Sequence, residues 1–268
     1  MNIIVCIKQV PDTAEVKIDP VKGTLIREGV PSIVNPFDEF AVEEALCLRT
    51  KFGGKVTAIT MGPPQAVSAL RQVVAMGADE AVLLSDRAFA GSDTWATSYT
   101  LAAAIRKTGP VDIILCGKQA IDGDTGQVGP GIAVQLGINT LTYVSRINRV
   151  EREPAPGVIE VERTLDEGRE TAESRLPVLL TVVKDINVPR LAAIADVRRA
   201  ARMTIPTWGA AELPGVETRF LGLEGSPTRV VEIASPPGRA AAVEIIRAES
   251  PDQAASQLVE RLLAAKVL

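Results

Sequence analysis

The sequence predicts an α/β fold built on a doubly wound, mostly parallel sheet with an antiparallel edge and an extended C-terminal arm. Short apolar runs alternate with helix-spaced segments through about residue 147, the pattern of βαβ units. Two strand-like segments then flank a polar turn, which predicts the antiparallel edge. From residue 186 the chain is rich in proline and arginine and loses its periodicity. We therefore predict an α/β domain over 1–185 and an arm with a terminal helix over 186–268.

Each element of the alternating part has its own signal. Apolar, β-branched runs predict buried parallel strands, and these are Asn2–Val10, Lys55–Met61, Ala81–Ser85, Val111–Cys116 and Leu141–Ile147. Helical spacing of apolar residues predicts Asp38–Lys51, Gln65–Met76, Thr94–Lys107 (capped by Ser92 or Asp93) and Gln127–Gly137. Other predicted elements are a small hairpin (Val16–Ile18 with Thr24–Ile26), paired edge strands (Val158–Thr164 with Glu173–Val183) and an amphipathic helix (Asp252–Leu268).

The stretch from Val111 to Gly137 reads as a buried strand, a loop rich in glycine and a helix, the arrangement with which α/β proteins hold phosphates. Glycines in this loop let backbone N–H groups approach a ligand without Cβ atoms in the way. An anion at the start of the helix would meet unpaired N–H groups and the positive end of the helix dipole. The alternative is that Asp124 and Thr125 only cap the helix and that the glycines only allow a turn.

Composition restricts the chemistry. The chain has no histidine, which removes the usual general base and the commonest metal ligand, so its chemistry is expected to come from a cofactor. A net charge of −4 and 3% aromatic residues argue against nucleic-acid binding. No run resembles a secretory signal or approaches the roughly 18 apolar residues of a membrane span, so we predict a cytoplasmic protein without membrane insertion. Cys6, Cys47 and Cys116 are predicted to be reduced, packed thiols.

Six motifs in order carry a family resemblance. They are VCIKQVPDT (5–13), NPFDEFAVEEAL (35–46), MGPPQA (61–66), AMGADEAVLL (75–84), GKQAIDGDTGQVGP (117–130) and VERTLDEGRETAESRLPVLLTV (161–182). With them the chain resembles the β (small) subunit of electron transfer flavoproteins. The resemblance implies an adenine-nucleotide-hydrolase-like, Rossmann-like sheet that holds a nucleotide, in a heterodimer with a larger electron transfer flavoprotein α subunit.

The resemblance also implies which residues hold the nucleotide. It places Cys6 and Val10 near the adenine, Asn35, Met61 and Gly62 along the nucleotide, and the run Asp124, Thr125, Gly126, Gln127 and Val128 around the phosphates. The alternatives are that Val10 and Met61 only pack in the core and that Asn35 only forms a turn before Pro36.

A division within the family bears on function. Ordinary members bind AMP in the β subunit, whereas electron-bifurcating members bind a second FAD there and receive hydride from NADH. The segment DRAFAGSDTWATS (86–98) resembles the bifurcating type. There, Ser92, Asp93 and Thr94 are expected to offer N–H donors to a pyrophosphate, although these residues could simply cap a helix. Bifurcation implies ferredoxin or flavodoxin as the low-potential acceptor and a dehydrogenase reached through the α-subunit FAD.

The segment PRLAAIADVRRAA (189–201) is similar to the family's docking loop for acyl-CoA or related dehydrogenases, with Ile194 at the apolar anchor. Arg190, Arg198, Arg199 and Arg202 are read as steering charges around it. The alternative is an arm that packs only on the α subunit. An ATP-using enzyme of the related nucleotide-binding fold is disfavoured because the chain lacks a Ser-Gly-Gly loop and a metal-binding carboxylate pair in 117–130.

Overall fold

Parallel strands joined by helices form the centre of the structure, a computed structural model that describes residues 1–12, 31–231, 243 and 245–267. The strands are β1 (Asn2–Cys6), β2 (Gln9–Pro11), β3 (Ser32–Val34), β4 (Lys55–Met61), β5 (Glu80–Leu84), β6 (Ile113–Gly117), β7 (Asn139–Glu151), β8 (Val158–Leu165), β9 (Gly168–Arg175), β10 (Val178–Val182) and β11 (Thr207–Trp208). The helices are α1 (Pro36–Phe52), α2 (Val67–Met76), α3 (Thr94–Thr108), α4 (Val128–Leu136), α5 (Ile194–Arg202) and α6 (Pro251–Ala264).

Among the described residues, nine strands form one sheet in the order β11-β5-β4-β1-β6-β10-β7-β8-β9. The strands from β11 to β7 pair in parallel, and β8 and β9 extend the edge in antiparallel sense. A separate antiparallel pair is formed by β2 and β3. This architecture confirms the predicted doubly wound α/β fold with its antiparallel edge.

Alternate residues of the central strands feed two cores, one on each face of the sheet. In β1, Ile3 and Val5 pack with α1 and α2, whereas Ile4 and Cys6 pack with α3 and α4. Every residue of β6 is buried, as expected of a central strand that is covered on both faces. The apolar run that predicted this strand is therefore explained by its two-sided burial.

The sheet has its topological switch point between β1 and β6. From β1 the chain passes through α1 toward β4, and from β6 it passes through α4 on the opposite face. Connections that leave neighbouring strands in opposite directions open a crevice at the carboxyl ends of those strands, where open α/β sheets bind ligands.

Two of the predicted strands were wrong as single elements, because each is divided in the structure. The predicted strand Glu173–Val183 is two strands, because β9 ends before Pro177 and the following β10 inserts between β6 and β7 in the parallel part of the sheet. Proline lacks the N–H that would continue the ladder. The predicted first strand Asn2–Val10 is likewise divided into β1 and β2. The predicted hairpin at 16–18 and 24–26 lies outside the described residues.

The segment after β10 returns to the sheet. Helix α5 packs on α2, and β11 pairs with β5 through bonds from the N–H groups of Leu83 and Ser85 to the carbonyls of Pro206 and Trp208. Residues 1–231 form one compact unit and residues 232–268 a second one. In the second unit, α6 is capped by Ser250, whose hydroxyl accepts from the Gln253 N–H. No helix within the described ranges is long and apolar enough to cross a membrane.

Candidate functional site

The loop from Lys118 to Gln127 borders the crevice and is tied down in its first half. The side chain of Asn35, which is fully buried, donates to the Gln119 carbonyl (2.8 Å) and accepts from the Ile121 N–H (3.1 Å). Asn35 is also the residue that precedes α1, so it joins the start of that helix to the loop. The Nζ atom of Lys8, just beyond β1, bonds both carboxylate oxygens of Asp122 (2.6 and 2.8 Å). These contacts fix the loop where β6 ends.

The second half of the loop presents unpaired N–H groups. Asp124 (φ 51°) and Gly126 (φ 63°) turn the chain into α4. Within the described part of the chain, the N–H groups from Thr125 to Gly129 have no acceptor, and no side chain caps α4 at Gln127. The next residue is Pro130, which has no N–H. A phosphate here would meet several donors and the positive end of the α4 dipole.

The start of α3 is different because a carboxylate already occupies it. Asp93 Oδ1 accepts from the N–H groups of Trp95 (2.9 Å) and Ala96 (3.0 Å), and Oδ2 accepts from the N–H and hydroxyl of Thr228. Burial raises the pKa of Asp93, but these hydrogen bonds outweigh it and lower that pKa overall. The Ser92 hydroxyl donates to the Phe89 carbonyl. Of the three predicted residues, Thr94 alone is bonded to the loop, through its hydroxyl and Gln127 Oε1 (3.1 Å).

The remaining predicted residues lie at or near the ends of the central strands. Cys6 is the last residue of β1 and pairs in register with Cys116 of β6, and both thiols are buried. A hydrogen bond to Cys6 and burial raise the pKa of Cys116 well above its usual value, so this thiol stays neutral. Met61 ends β4, and the N–H of Gly62 donates to the Leu84 carbonyl (3.0 Å). Val10 lies in β2 with its side chain buried.

Two residues of the crevice, Asp38 and Lys8, were not predicted from the sequence. Asp38, in the first turn of α1, accepts from the N–H groups of Lys8 and Gly117, and Lys8 itself binds Asp122. A signal was present, because Asp38 falls on the same helix face as the buried residues Ala41 and Val42.

The prediction that all three cysteines are packed was wrong for Cys47, which is exposed.

The segment around Ile194 presents an apolar surface. Two of its four arginines are bonded to the body of the chain and are not the free steering charges that were predicted. Val188, Leu191 and Ile194 are exposed, the last by 76%. Arg190 bonds the nearly buried carboxylate of Glu43 through Nε (2.7 Å) and Nη2 (2.8 Å). Arg199 donates to carbonyls at the end of α2. These two arginines therefore anchor the segment, and Arg198 and Arg202 remain exposed.

Within the residues that the structure describes, no group of three or more His, Cys, Asp or Glu side chains could hold a metal ion. The ligand that this geometry fits is an anion at the start of α4.

Comparisons with known proteins give a consistent result. The family model of the electron transfer flavoprotein domain matches residues 22–213. The chain is 53% identical to the electron transfer flavoprotein subunit beta of Thermoanaerobacterium thermosaccharolyticum over 262 residues, which cover 98% of each chain. It is 49% identical to the caffeyl-CoA reductase-Etf complex subunit CarD of Acetobacterium woodii, again over 98% of each chain. It is 48% identical to protein FixA of Bradyrhizobium diazoefficiens, over 98% of this chain and 91% of that protein.

Proposed function

This chain belongs to the electron transfer flavoprotein family, as a β subunit with a role in electron transfer, and from that premise we propose that it pairs with an α subunit and holds FAD in the crevice between β1 and β6. The single observation that carries the nucleotide site is the run of N–H groups from Thr125 to Gly129, at the switch point of the sheet, that find no acceptor among the described residues. Such a run is suited to phosphate oxygens.

The protein's part in this proposal is to bind and orient. Lys8 and Asn35 hold the loop against the strand ends, and the donors at the start of α4 take the phosphates. Cys6 and Met61, at the ends of β1 and β4, would line the path toward the adenine. The described part of the chain offers a binding frame without a histidine to act as a general base, which suits chemistry supplied by a flavin.

We propose FAD as the occupant because the starts of two helices meet at this point. The Thr94 hydroxyl is bonded to Gln127, so a pyrophosphate at α4 would also pass close to the start of α3. The alternative occupant is AMP, with the chain acting as an ordinary electron carrier. What favours AMP is the Asp93 carboxylate, which already uses the donors of Trp95 and Ala96 and leaves less room for a second phosphate at α3.

The donors at the start of α4 would hold the FAD, and the chemistry that the flavin would supply there is acceptance of hydride from NADH and delivery of single electrons to ferredoxin or flavodoxin and, through the α-subunit FAD, to a dehydrogenase. We propose that an acyl-CoA or related dehydrogenase docks at the apolar surface of Val188, Leu191 and Ile194. One relative carries the name of a caffeyl-CoA reductase complex, which supports a partner of this class. The bonds of Arg190 and Arg199 to the body of the chain would present that surface in a fixed shape.

The deciding experiment is to identify the nucleotides released when the purified αβ complex is denatured. Two FAD per αβ pair, together with anaerobic bleaching of the flavin absorbance by NADH, are expected for bifurcation. One FAD plus one AMP, with no bleaching by NADH, would overturn bifurcation and establish the electron-carrier alternative. Release of neither nucleotide from the β site would overturn the nucleotide proposal as a whole.

A further inference from the structure

One buried side chain holds together the carboxyl ends of the two strands that diverge at the switch point. Asp38 Oδ2 accepts from the Lys8 N–H (2.7 Å), and Oδ1 accepts from the Gly117 N–H (3.1 Å). Lys8 follows β1, and Gly117 is the last residue of β6. Both oxygens of a carboxylate that is only 6% exposed are thus used, one for each strand end.

The fit on the β6 side is tight. A Cβ atom built on Gly117 would lie 2.4 Å from Asp38 Oδ1 and 2.7 Å from the carbonyl carbon of Phe37. Any side chain at 117 would therefore push the first turn of α1 away from β6. The Asp38 carboxylate fits here because Gly117 has no side chain, which leaves space for the Oδ1 atom.

Both strand ends lead directly to the loop that presents the unpaired donors. Gly117 is followed at once by that loop, and the Lys8 side chain binds Asp122 within it. A change in the separation of the two strand ends would therefore move the loop and the start of α4 together.

We propose that Asp38 is a positioning residue for the nucleotide, a role that rests on the proposed function: its carboxylate sets the separation of β1 and β6 and thereby places the donors of 125–129 for the phosphates. Asp38 does not need to touch the ligand. An amide is a poor substitute, since asparagine offers one oxygen and one NH2 group. Whichever way the amide lies, its NH2 group faces the N–H of Lys8 or of Gly117, and one bond is lost.

The position has a consequence for pH dependence. Burial raises the pKa of Asp38 to about 7, although the hydrogen bonds from Lys8, Asn35 and Gly117 and the Lys8 charge lower it. The neighbouring titratable groups are Lys8, from the β1–β2 connection, and Cys116, from β6. Protonation removes one acceptor, so the strand ends should lose their fixed separation as the pH falls below about 7.

The test uses the αβ complex with its α site filled, as wild type and with Asp38→Asn. The matched control is Glu39→Gln, which removes the same charge from the first turn of α1 but whose carboxylate binds Gln72, away from the crevice. The β site is emptied and titrated with FAD, and separately with AMP, from pH 6 to pH 8, and the Tm of each unliganded complex is recorded.

Because Asp38→Asn loses one hydrogen bond to a charged group, we expect it to raise the nucleotide Kd roughly tenfold at pH 8. The Kd of Glu39→Gln should stay within about twofold of the wild-type value. The wild-type Kd should rise as the pH falls, whereas the Asp38→Asn profile should keep only the dependence that comes from the ligand itself. A purely structural role would lower the Tm and leave the pH profile unchanged.

Wild-type affinity and pH profile in Asp38→Asn would refute the positioning role while leaving the nucleotide site intact. If Asp38→Asn does not fold, the wild type decides alone, because a Kd for FAD that is constant from pH 6 to pH 8 refutes the proposal. A wild-type complex that binds neither nucleotide refutes the proposed function, a result distinct from either of these.

Discussion

The substitution Gly129→Ala tests whether the start of α4 must lie close to the sheet. A Cβ atom built on Gly129 would be 2.7 Å from Thr181 Cγ2, 3.4 Å from Leu179 Cδ2 and 3.6 Å from Cys116 Cβ. Ordinary carbon contacts are about 3.5–4.0 Å, so the first turn must move away from β10 by roughly 1 Å. Overpacking of this kind costs about 1–3 kcal/mol. The same movement displaces the donors proposed to bind phosphate, so we expect nucleotide affinity to fall about tenfold.

Gly123→Ala is the control because Gly123 lies in the loop that leads into α4, is exposed, and has no atom within 4 Å of its built Cβ. It should leave both stability and affinity near wild type. Stability is measured by urea unfolding of the αβ complex, and affinity by titration of the emptied β site with FAD. The reasoning is refuted if Gly129→Ala matches Gly123→Ala in both measurements. A loss of stability alone would refute only the contact between the α4 donors and the phosphates.

Three further predictions follow from named side chains. Partial burial and a hydrogen bond to Glu43 raise the pKa of the Cys47 thiol to about 11. Glu43→Gln should therefore speed the alkylation of Cys47 by iodoacetamide at pH 8, as measured by peptide mass spectrometry. Ile194→Asp should raise the KM for the partner dehydrogenase at least tenfold and leave flavin content unchanged; an unchanged KM would exclude this surface. Because the folded-state pKa of Asp38 is about 7, above its ordinary 3.8, the unfolding free energy of the unliganded complex should fall as the pH rises from 4 to 7, and Asp38→Asn should flatten that slope in urea titrations.

The sequence predicts those parts of the fold whose signal is local. The apolar run that became β6 and the spacing that became α1 and α3 each carry enough information, because burial on two faces or on one stripe leaves a regular pattern. Strand β10 was not predicted as a separate element, although the sequence changes at Pro177 from charged and polar residues to a mostly apolar run. Its place between β6 and β7 depends on pairing with distant strands, which no local pattern records.

The two-residue strand β11 also depends on pairing with a distant strand, and it could be predicted even less than β10. Its pairing with β5 depends on the carbonyls of Pro206 and Trp208, and nothing in the local composition distinguishes these from other residues of a proline-rich segment. The prediction of free steering charges near Ile194 was wrong for Arg190 and Arg199 for a related reason. Arg190 looks like a free surface charge until α1 brings the buried carboxylate of Glu43 beneath it.

In the candidate site, glycine spacing was sufficient to predict the loop before α4, whereas Asp38 was not predicted. An acidic residue in the first turn of a helix is ordinarily explained by the helix dipole, and Glu39 beside it fits that explanation. The different role of Asp38 arises only when β1 and β6 lie side by side and present two N–H groups to one carboxylate. That geometry is a property of the assembled sheet.

Two helices begin near the crevice after small polar residues, and the position of the nearest aspartate separates their roles. Asp93 directly precedes Thr94, so its carboxylate folds back on the first turn of α3 and also holds Thr228. Asp124 lies four residues before α4, with Gly126 at φ 63° between them, and its carboxylate accepts from Gln119 instead. The donors of α3 are thus used within the chain, whereas those of α4 have no acceptor in the part of the chain that the structure describes. The same kind of sequence therefore gives one self-capped helix and one helix whose first N–H groups have no acceptor among the described residues. For this reason we propose that the phosphates bind at α4, where the Thr94 hydroxyl of α3 is bonded to Gln127.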